Sequence, residues 1–169
     1  MELYIIRHAE AQQLGQKNNF TDEKRALTGD GRDRMREGTK GLRKLGVEPG
    51  LILTSPLIRA VETAEIVATG LGLHKKEIVQ TNNLKPGASY EDLVVEIKKP
   101  SEIESIALVG HEPDLGLIIS AILNCGTGLA IDLKKGSVCC LNVTETVPVL
   151  LGSLVWLMTL KQLRLLSRL

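Results

Sequence analysis

Two arginines and two histidines stand directly after short apolar stretches of the sequence. Arg7 and His8 follow "LYII", Arg59 follows "LILTSPLI", and His111 follows "SIALVG". Planar guanidinium groups bind the oxygens of a dianion through paired N–H donors, and a neutral imidazole can act as a nucleophile. If the chain brings these four side chains together, they form a site suited to a phosphate group.

The apolar stretches are typical of strands that alternate with helices. Strands are predicted at "LYII", "LILT", "IVQ" and "SIALVG", and helices from about Thr28 to Leu45, Pro56 to Leu71, Tyr90 to Lys98 and Pro113 to Leu123. This alternation predicts an α/β fold: a single domain over residues 1–169 with a mostly parallel sheet covered by helices on both faces. Thr28 is expected to cap the first helix.

The C-terminal part has a different pattern. The stretches 137–143 and 153–158 follow each other with no helix between them, which predicts an antiparallel edge near the C-terminus. A short amphipathic helix is expected after the last strand. In open α/β sheets, ligands bind beyond the carboxyl ends of the strands, so the four residues that follow strands are the place to look for a site.

Composition excludes several classes of function. Aromatic residues make up 2% of the 169 residues and the net charge is +1, so neither base stacking nor a general polyanion-binding surface is expected, and nucleic acid is not a predicted partner. The tail "LLGSLVWLMTLKQLRLL" is interrupted by charged residues and glycine, which argues against a membrane span. No signal segment is recognised and the three cysteines, Cys125, Cys139 and Cys140, are interpreted as reduced core thiols, so the cytoplasm is the expected location.

Each candidate residue also has an ordinary structural interpretation. Arg59 could pair with Glu62 or Glu65 on its own helix, and His111 could satisfy a loop carbonyl. The third histidine, His74, stands among lysines and is expected to be solvated. Cys139 and Cys140 alternate across a strand, so at most one is expected to face the core. Because no carboxylates or thiolates cluster at ligand spacing, neither a metal nor another cofactor is expected.

Three segments resemble the signature segments of a known family. "YIIRHAEA", "LTSPLIRAVETAEIV" and "ALVGHEPDL" are similar to those of the histidine phosphatase superfamily, in the same order between residues 4 and 115, and "RALTGDGR" resembles its LTxxG segment. The short chain and its ending are most similar to the SixA-type phosphohistidine phosphatases. The resemblance implies that His8 is the nucleophile, that Arg7 and Arg59 bind the phosphate, and that His111 contacts the transferred group. Ala9 stands where glycine is commoner in the family.

The chemistry of such a site follows from its charges. Two adjacent arginines raise the cost of protonating an imidazole, which keeps it neutral and able to attack phosphorus. The same charges balance the equatorial oxygens of the transition state, the task of metal ions in other phosphoryl-transfer enzymes. His8 would take the phosphoryl group, and water would then release inorganic phosphate.

The leaving group depends on a general acid, and here the chain departs from the family. Larger members supply a glutamate in an L-x-E segment, where this sequence has Pro86 within "NNLKPGASYEDL". Glu10 and Glu91 remain as candidate acids. An imidazole leaves without strong acid help, because its conjugate acid has a pKa of roughly 6 to 7. The expected substrate is therefore phosphohistidine on a histidine-phosphotransfer or phosphocarrier protein.

Two alternatives remain open from the sequence. One is a small-molecule phosphomonoesterase of the same superfamily, and the other is a module that binds a phosphorylated ligand without turning it over. The retention of all four residues favours catalysis, and the lack of room for a large covering insertion favours a substrate presented by another protein.

Overall fold

A computed structural model describes residues 1–15, 21–98, 102–124, 129–145 and 150–169. Six strands form one sheet, namely β1 Glu2–Arg7, β2 Leu51–Thr54, β3 Ile78–Gln80, β4 Ser105–Gly110, β5 Val138–Glu145 and β6 Leu151–Met158. The described helices are α1 Gly29–Lys44, α2 Ile58–Leu71, α3 Tyr90–Lys98, α4 Asp114–Ile122 and α5 Leu160–Leu166. The predicted α/β architecture is confirmed.

The sheet has the strand order β3-β2-β4-β1-β5-β6. Strands β3, β2, β4 and β1 are parallel, whereas β5 pairs antiparallel with both β1 and β6. The antiparallel edge predicted near the C-terminus is thus confirmed. Strand β4 lies in the middle of the parallel part, between β2 and β1, and its carboxyl end is flanked by the ends of both neighbours.

Helices cover the sheet on both faces, and alternate residues of β1 enter opposite layers of the core. Leu3 and Ile5 pack with apolar residues of α3 and α4, while Tyr4 and Ile6 pack with residues of α1, α2 and α5. None of the described helices is both long and apolar enough to span a membrane.

The expectation that at most one of the two adjacent cysteines faces the core is wrong. Cys139 packs in the layer under α3 and α4, and Cys140 packs in the opposite layer. Both are buried because both faces of the sheet are covered, so alternation along a strand does not expose either side chain. Burial raises the pKa of the Cys139 thiol to about 12 and that of Cys140 to about 11, which keeps both thiols protonated. Cys125 lies outside the described residues.

Helix starts agree with the sequence to within two residues. The Oγ1 atom of Thr28 accepts a hydrogen bond from the N–H of Gly31 at 2.9 Å, so the predicted cap of α1 is confirmed. Helix α2 begins at Ile58 rather than Pro56, because Leu57 has extended backbone angles and caps the helix. The Oγ of Ser55 accepts a hydrogen bond from the N–H of Leu57 at 3.3 Å, which closes the turn between β2 and α2.

Candidate active site

Main-chain pairing brings the ends of β1, β4 and β2 together. Arg7 lies opposite Gly110 in the parallel register, and the N–H of His8 donates to the carbonyl of Gly110 at 3.1 Å. On the other side of β4, the N–H of Ser55 donates to the carbonyl of Val109 at 2.9 Å. His111 follows Gly110 directly, so it lies between the residues that follow β1 and β2.

His8 is buried, and its ring is fixed by the backbone of the next residue. Its Nδ1 lies 2.7 Å from the carbonyl oxygen of Ala9. A carbonyl oxygen only accepts hydrogen bonds, so Nδ1 carries the hydrogen and the lone pair of the neutral ring is on Nε2. Burial, with a smaller contribution from the charges of Arg59 and Arg7, lowers the pKa of His8 to about 4. The expected neutral imidazole is present, although desolvation contributes more than the arginines do.

His111 is buried beside His8, with ring centroids 5.1 Å apart. Its Nε2 lies 2.8 Å from the Oγ of Ser55, and its Nδ1 is buried with no hydrogen-bond partner among the described residues. Burial, followed by the charge of Arg59, lowers the pKa of His111 to about 3. Both rings are therefore neutral at pH 7 before an anion binds.

Each of the two arginines is fixed by hydrogen bonds from its terminal guanidinium nitrogens. Arg59 donates through Nη1 to the backbone carbonyl of Asp22 at 2.7 Å and through Nη2 to its carboxylate at 2.8 Å. Arg7 donates through Nη1 to the carbonyl of Leu133 at 2.5 Å. The Nε atoms of both arginines are buried and have no partner within the described parts of the chain. Buried donors normally have partners, so these atoms indicate a place for an anion.

The side-chain partner of Arg59 differs from both ordinary alternatives. Arg59 pairs with Asp22 rather than with Glu62 or Glu65 on its own helix. Glu62 instead pairs with Arg32 at 2.5 Å. Asp22 lies in a short 3₁₀ turn before α1, with no regular pattern around it, so the sequence offered no signal for this contact.

Ser55 and Thr63 are two further residues of the site that the sequence reasoning missed. Ser55 contacts His111, and the Oγ1 of Thr63 accepts from the N–H of Ala9 at 3.1 Å while donating to the carbonyl of Arg59 at 2.7 Å. Ser55 could have been found, since it follows β2 directly, just as His8 follows the last residue of β1. Thr63 ties the loop after β1 to the first turn of α2.

Ala9 causes no backbone strain at the position where glycine is commoner in the family. Among the described residues, Asn124 is the one non-glycine residue with positive φ. Ala9 is fully buried, and its N–H and carbonyl are both bonded within the site. A methyl group at this position is therefore compatible with the loop.

The two candidate general acids lie at the surface. The Oε1 of Glu10 forms an ion pair with the Nζ of Lys135 at 2.7 Å, and the Glu10 side chain is 48% exposed. Glu91 is in the first turn of α3, where its Oε2 accepts from the Oγ of Ser89 at 2.8 Å. Hydrogen bonds from its own backbone N–H and from Ser89 lower the pKa of Glu91. The carboxyl group is therefore ionised at neutral pH and carries no proton to donate. Neither carboxylate is buried as His8, Arg59 and His111 are. His74 is exposed, in agreement with its expected solvation.

A cavity of about 220 Å³ adjoins His111. It lies between the segment from Asn83 to Leu93 and helix α4, with Leu84, Leu115 and Ile118 in its apolar wall. The Oδ2 of Asp114 accepts from the N–H of Gly87 at 2.9 Å, which ties the two walls together. Space for a group attached to a bound phosphate is therefore available on this side of His111.

Comparisons with known proteins agree with this arrangement. The family model of the histidine phosphatase superfamily (branch 1) matches residues 3–86. An uncharacterised protein of Picosynechococcus sp. is 36% identical over 141 residues, which are 82% of each chain. The mitochondrial serine/threonine-protein phosphatase Pgam5 of Drosophila mojavensis is 33% identical over 86 residues, or 51% of this chain and 28% of that protein.

A solved structure extends the likeness to nearly the whole fold. The protein histidine phosphatase SixA complexed with tungstate superposes with a TM-score of 0.83 at 22% identity, covering 96% of this chain and 99% of that chain. The matched family segment contains Arg7, His8 and Arg59, and the superposed fold extends past His111. The chain belongs to the histidine phosphatase superfamily.

Proposed function

We propose that the protein is a phosphatase that works through a phosphorylated His8. The observation that carries the proposal is the set of unpartnered nitrogen atoms around it. The Nε atoms of Arg7 and Arg59 and the Nδ1 of His111 are buried without partners among the described residues. Nothing in ordinary packing requires two guanidiniums and two imidazoles at one buried place, whereas a phosphoryl group uses all four.

The reaction has two displacements at phosphorus. In the first, the Nε2 lone pair of His8 forms a bond to phosphorus, and the leaving group departs with the electron pair of its own bond. In the second, water attacks the phosphorylated His8, inorganic phosphate is released and the imidazole is regenerated. Arg7 and Arg59 balance the charge of the equatorial oxygens in both steps, and we propose that no metal ion is needed for this purpose.

We propose phosphohistidine on another protein as the substrate. Its leaving imidazole has a conjugate acid with a pKa of roughly 6 to 7, so it departs without a dedicated acid. Support comes from Pro86, which stands where larger family members carry a glutamate, and from the surface positions of Glu10 and Glu91. The partner would be a histidine-phosphotransfer or phosphocarrier protein. The similarity in fold to SixA, named a protein histidine phosphatase, points the same way.

A phosphomonoesterase is the second candidate, favoured by the identity to Pgam5, which is named a serine/threonine-protein phosphatase. Cleavage of a serine or threonine phosphate expels an alkoxide, which requires a well-placed proton donor. The lowered pKa of Glu91 and the ion pair of Glu10 do not favour that role. The two candidates therefore differ in whether efficiency depends on the leaving group.

The test is a comparison of kcat/KM at neutral pH, in the presence of EDTA. Substrates are a phosphohistidine protein, an aryl phosphate, a phosphoserine peptide and a sugar phosphate. We expect the phosphohistidine protein to react fastest and the aryl phosphate to be intermediate. The alkyl phosphates should react about 100-fold or more slowly than the phosphohistidine protein, because a general acid usually contributes at least that factor and none is available to them. Equal efficiency on all four would refute the substrate, and loss of activity in EDTA that magnesium restores would refute the metal-free mechanism.

A further inference from the structure

The loop that precedes β5 lies against the end of β1. The N–H of Gly136 donates to the carbonyls of Arg7 and His8, at 3.1 and 3.2 Å, and the N–H of Arg7 donates to the carbonyl of Ser137 at 3.1 Å. The side chain of Leu133 is completely buried in the core. The loop is therefore fixed to the same stretch of main chain that carries the proposed nucleophile.

Within this loop, Leu133 uses both of its backbone groups to connect two side chains. Its carbonyl accepts from the Nη1 of Arg7 at 2.5 Å, and its N–H donates to the Oε1 of Glu112 at 3.0 Å. The backbone N–H of Gly116 also bonds to the Glu112 carboxylate. Glu112 follows His111 directly in sequence, so this chain of contacts joins the end of β4 to the guanidinium of the last residue of β1.

The surroundings of Glu112 fit a role in holding the loop. The carboxylate is partly buried, and burial raises its pKa, while the two backbone N–H donors and the charge of Arg7 oppose that rise. A surface carboxylate with no structural task would remain in water. Here the carboxylate contacts backbone donors from both α4 and the loop.

Gly116 allows the loop to come this close to α4. A Cβ atom at this position would lie 2.5 Å from the carbonyl oxygen of Ile131 and 3.1 Å from the Oε2 of Glu112. Carbon and oxygen atoms that are not bonded do not approach to 2.5 Å, so any side chain at residue 116 would displace the loop or the carboxylate.

We infer that Glu112 is a positioning residue, which holds Leu133 so that the Leu133 carbonyl orients the guanidinium of Arg7 toward the phosphoryl group. The inference rests on the proposed function only in that Arg7 binds the phosphoryl group. Glu112 touches neither the substrate nor the reacting atoms, and its effect passes entirely through Leu133 and Arg7. Removing the carboxylate should therefore weaken anion binding only when Arg7 is present.

The experiment measures the Kd of tungstate, a phosphate-like oxyanion, by calorimetry, together with KM and kcat on an aryl phosphate. Glu112→Ala should weaken tungstate binding by about tenfold, and raise KM similarly, because Arg7 loses its fixed orientation. Glu112→Gln keeps an oxygen acceptor for the N–H of Leu133 and should stay within about threefold of the unmodified protein. Glu102→Ala, an exposed carboxylate before β4, is the matched control and should bind normally.

A double-mutant cycle with Arg7→Ala then separates positioning from general loss of structure. In the Arg7→Ala background, Glu112→Ala should change the Kd by less than about twofold, because the residue through which it acts is gone. Equal weakening in both backgrounds, or a Glu112→Ala variant that binds like the Glu102→Ala control, would overturn the inference.

If Glu112→Ala does not fold, the cycle is run with Gly116→Ala, which displaces the loop at Ile131. The same dependence on Arg7 is expected, and equal weakening with and without Arg7 would again overturn the inference. Tungstate binding does not depend on the physiological substrate. A wrong substrate would therefore leave the cycle intact, and a wrong positioning role would leave the substrate comparison intact.

Discussion

Two neighbouring regions of the molecule differ in where their polar and charged groups lie. The strand-end site, composed of Arg7, His8, Arg59 and His111, has buried imidazoles and guanidinium nitrogens without partners in the described structure. The leaving-group side, composed of residues 82–91, has an apolar cavity wall, Pro86, and a carboxylate at Glu91 that faces solvent. One region is organised to receive an anion, and the other offers space without a buried carboxyl group.

The difference shows where specificity can arise in such a site. Burial keeps the histidines neutral and leaves the guanidinium nitrogens available, so the fold already positions the groups that we propose to bind and attack the phosphoryl group. The leaving-group side has no buried carboxyl group positioned in this way to donate a proton. We therefore expect a protein of this design to select substrates by how readily their leaving groups depart, and variants in each region should separate the two contributions.

The largest effect is expected from His8→Ala. Loss of the proposed nucleophile should reduce turnover by about 1,000-fold or more, with folding retained because alanine adds no unpaired polar group at the buried position. The measurement is kcat on a phosphohistidine protein together with trapping of an acid-labile, base-stable phosphoenzyme. His74→Ala, an exposed histidine, is the control. An active His8→Ala protein, or the failure to trap any phosphoenzyme on the unmodified protein, would exclude the covalent mechanism.

A second, smaller effect is expected at Arg59. Arg59→Ala should reduce kcat/KM by about 100-fold. Arg59→Lys should restore only part of the lost kcat/KM, because one ammonium group cannot bond both Asp22 and a phosphate as a forked guanidinium can. Arg34→Ala removes an exposed ion pair with Asp30 on α1 and serves as the control. Full activity of Arg59→Lys would show that a point charge is sufficient and that the fork has no role.

The strand-end site should also make stability depend on pH. Burial lowers the pKa of His8 to about 4 and that of His111 to about 3, below the value of about 6.5 in the unfolded chain. Between these values the unfolded state binds more protons, so the free energy of unfolding is highest above pH 6.5 and falls as the pH decreases toward 4.

Urea denaturation at pH 7 and pH 4.5 measures this loss, which should be about 1 to 3 kcal/mol for each ring. His8→Gln should reduce the loss, because the protonatable ring is absent from both states. The exposed His74 provides the comparison, and an equal reduction in His74→Gln would show that burial of His8 is not the cause.

The smallest effect is expected from the two surface carboxylates that were candidate general acids. Glu10→Gln and Glu91→Gln should each change kcat/KM on a phosphohistidine protein by less than about twofold, because an imidazole leaves without a general acid. Each variant is assayed on a phosphoserine peptide as well. A loss of kcat/KM of tenfold or more on either substrate, in either variant, would identify that carboxyl group as a proton donor to the leaving group.

The sequence predicted the members of the strand-end site because each follows a strand closely. The main chain of a parallel sheet places such residues, and no knowledge of side-chain packing is needed. The contacts that orient them could not be predicted in the same way. Asp22 and Leu133, which hold Arg59 and Arg7, belong to loops whose paths depend on the packing of the complete fold.

The sequence also did not show which physical effect keeps the histidines neutral. The charges of the arginines are visible in the sequence, whereas the degree of burial is a property of the folded chain, and burial is the larger cause for both rings. The wrong prediction for Cys139 and Cys140 has a similar cause, because how completely the helices cover β5 on each face is also a property of the folded chain. Glu10 is a candidate general acid from the sequence, but its contact with Lys135 depends on a residue far along the chain.

The position of β1 in the sheet has a consequence for the order of folding. Tyr4 in this strand pairs with Ala107 on one side and with Cys140 on the other, so both neighbours of β1 come from late in the chain. Pairings between residues so distant in sequence form slowly, since a long loop must be closed before the contact is gained. During synthesis, Arg7 and His8 leave the ribosome before either of these neighbouring strands, and β1 acquires its second neighbour only after β5 has emerged. The residues that we propose to react are thus synthesised before the strands that fix them, so a partly synthesised chain does not present a complete site.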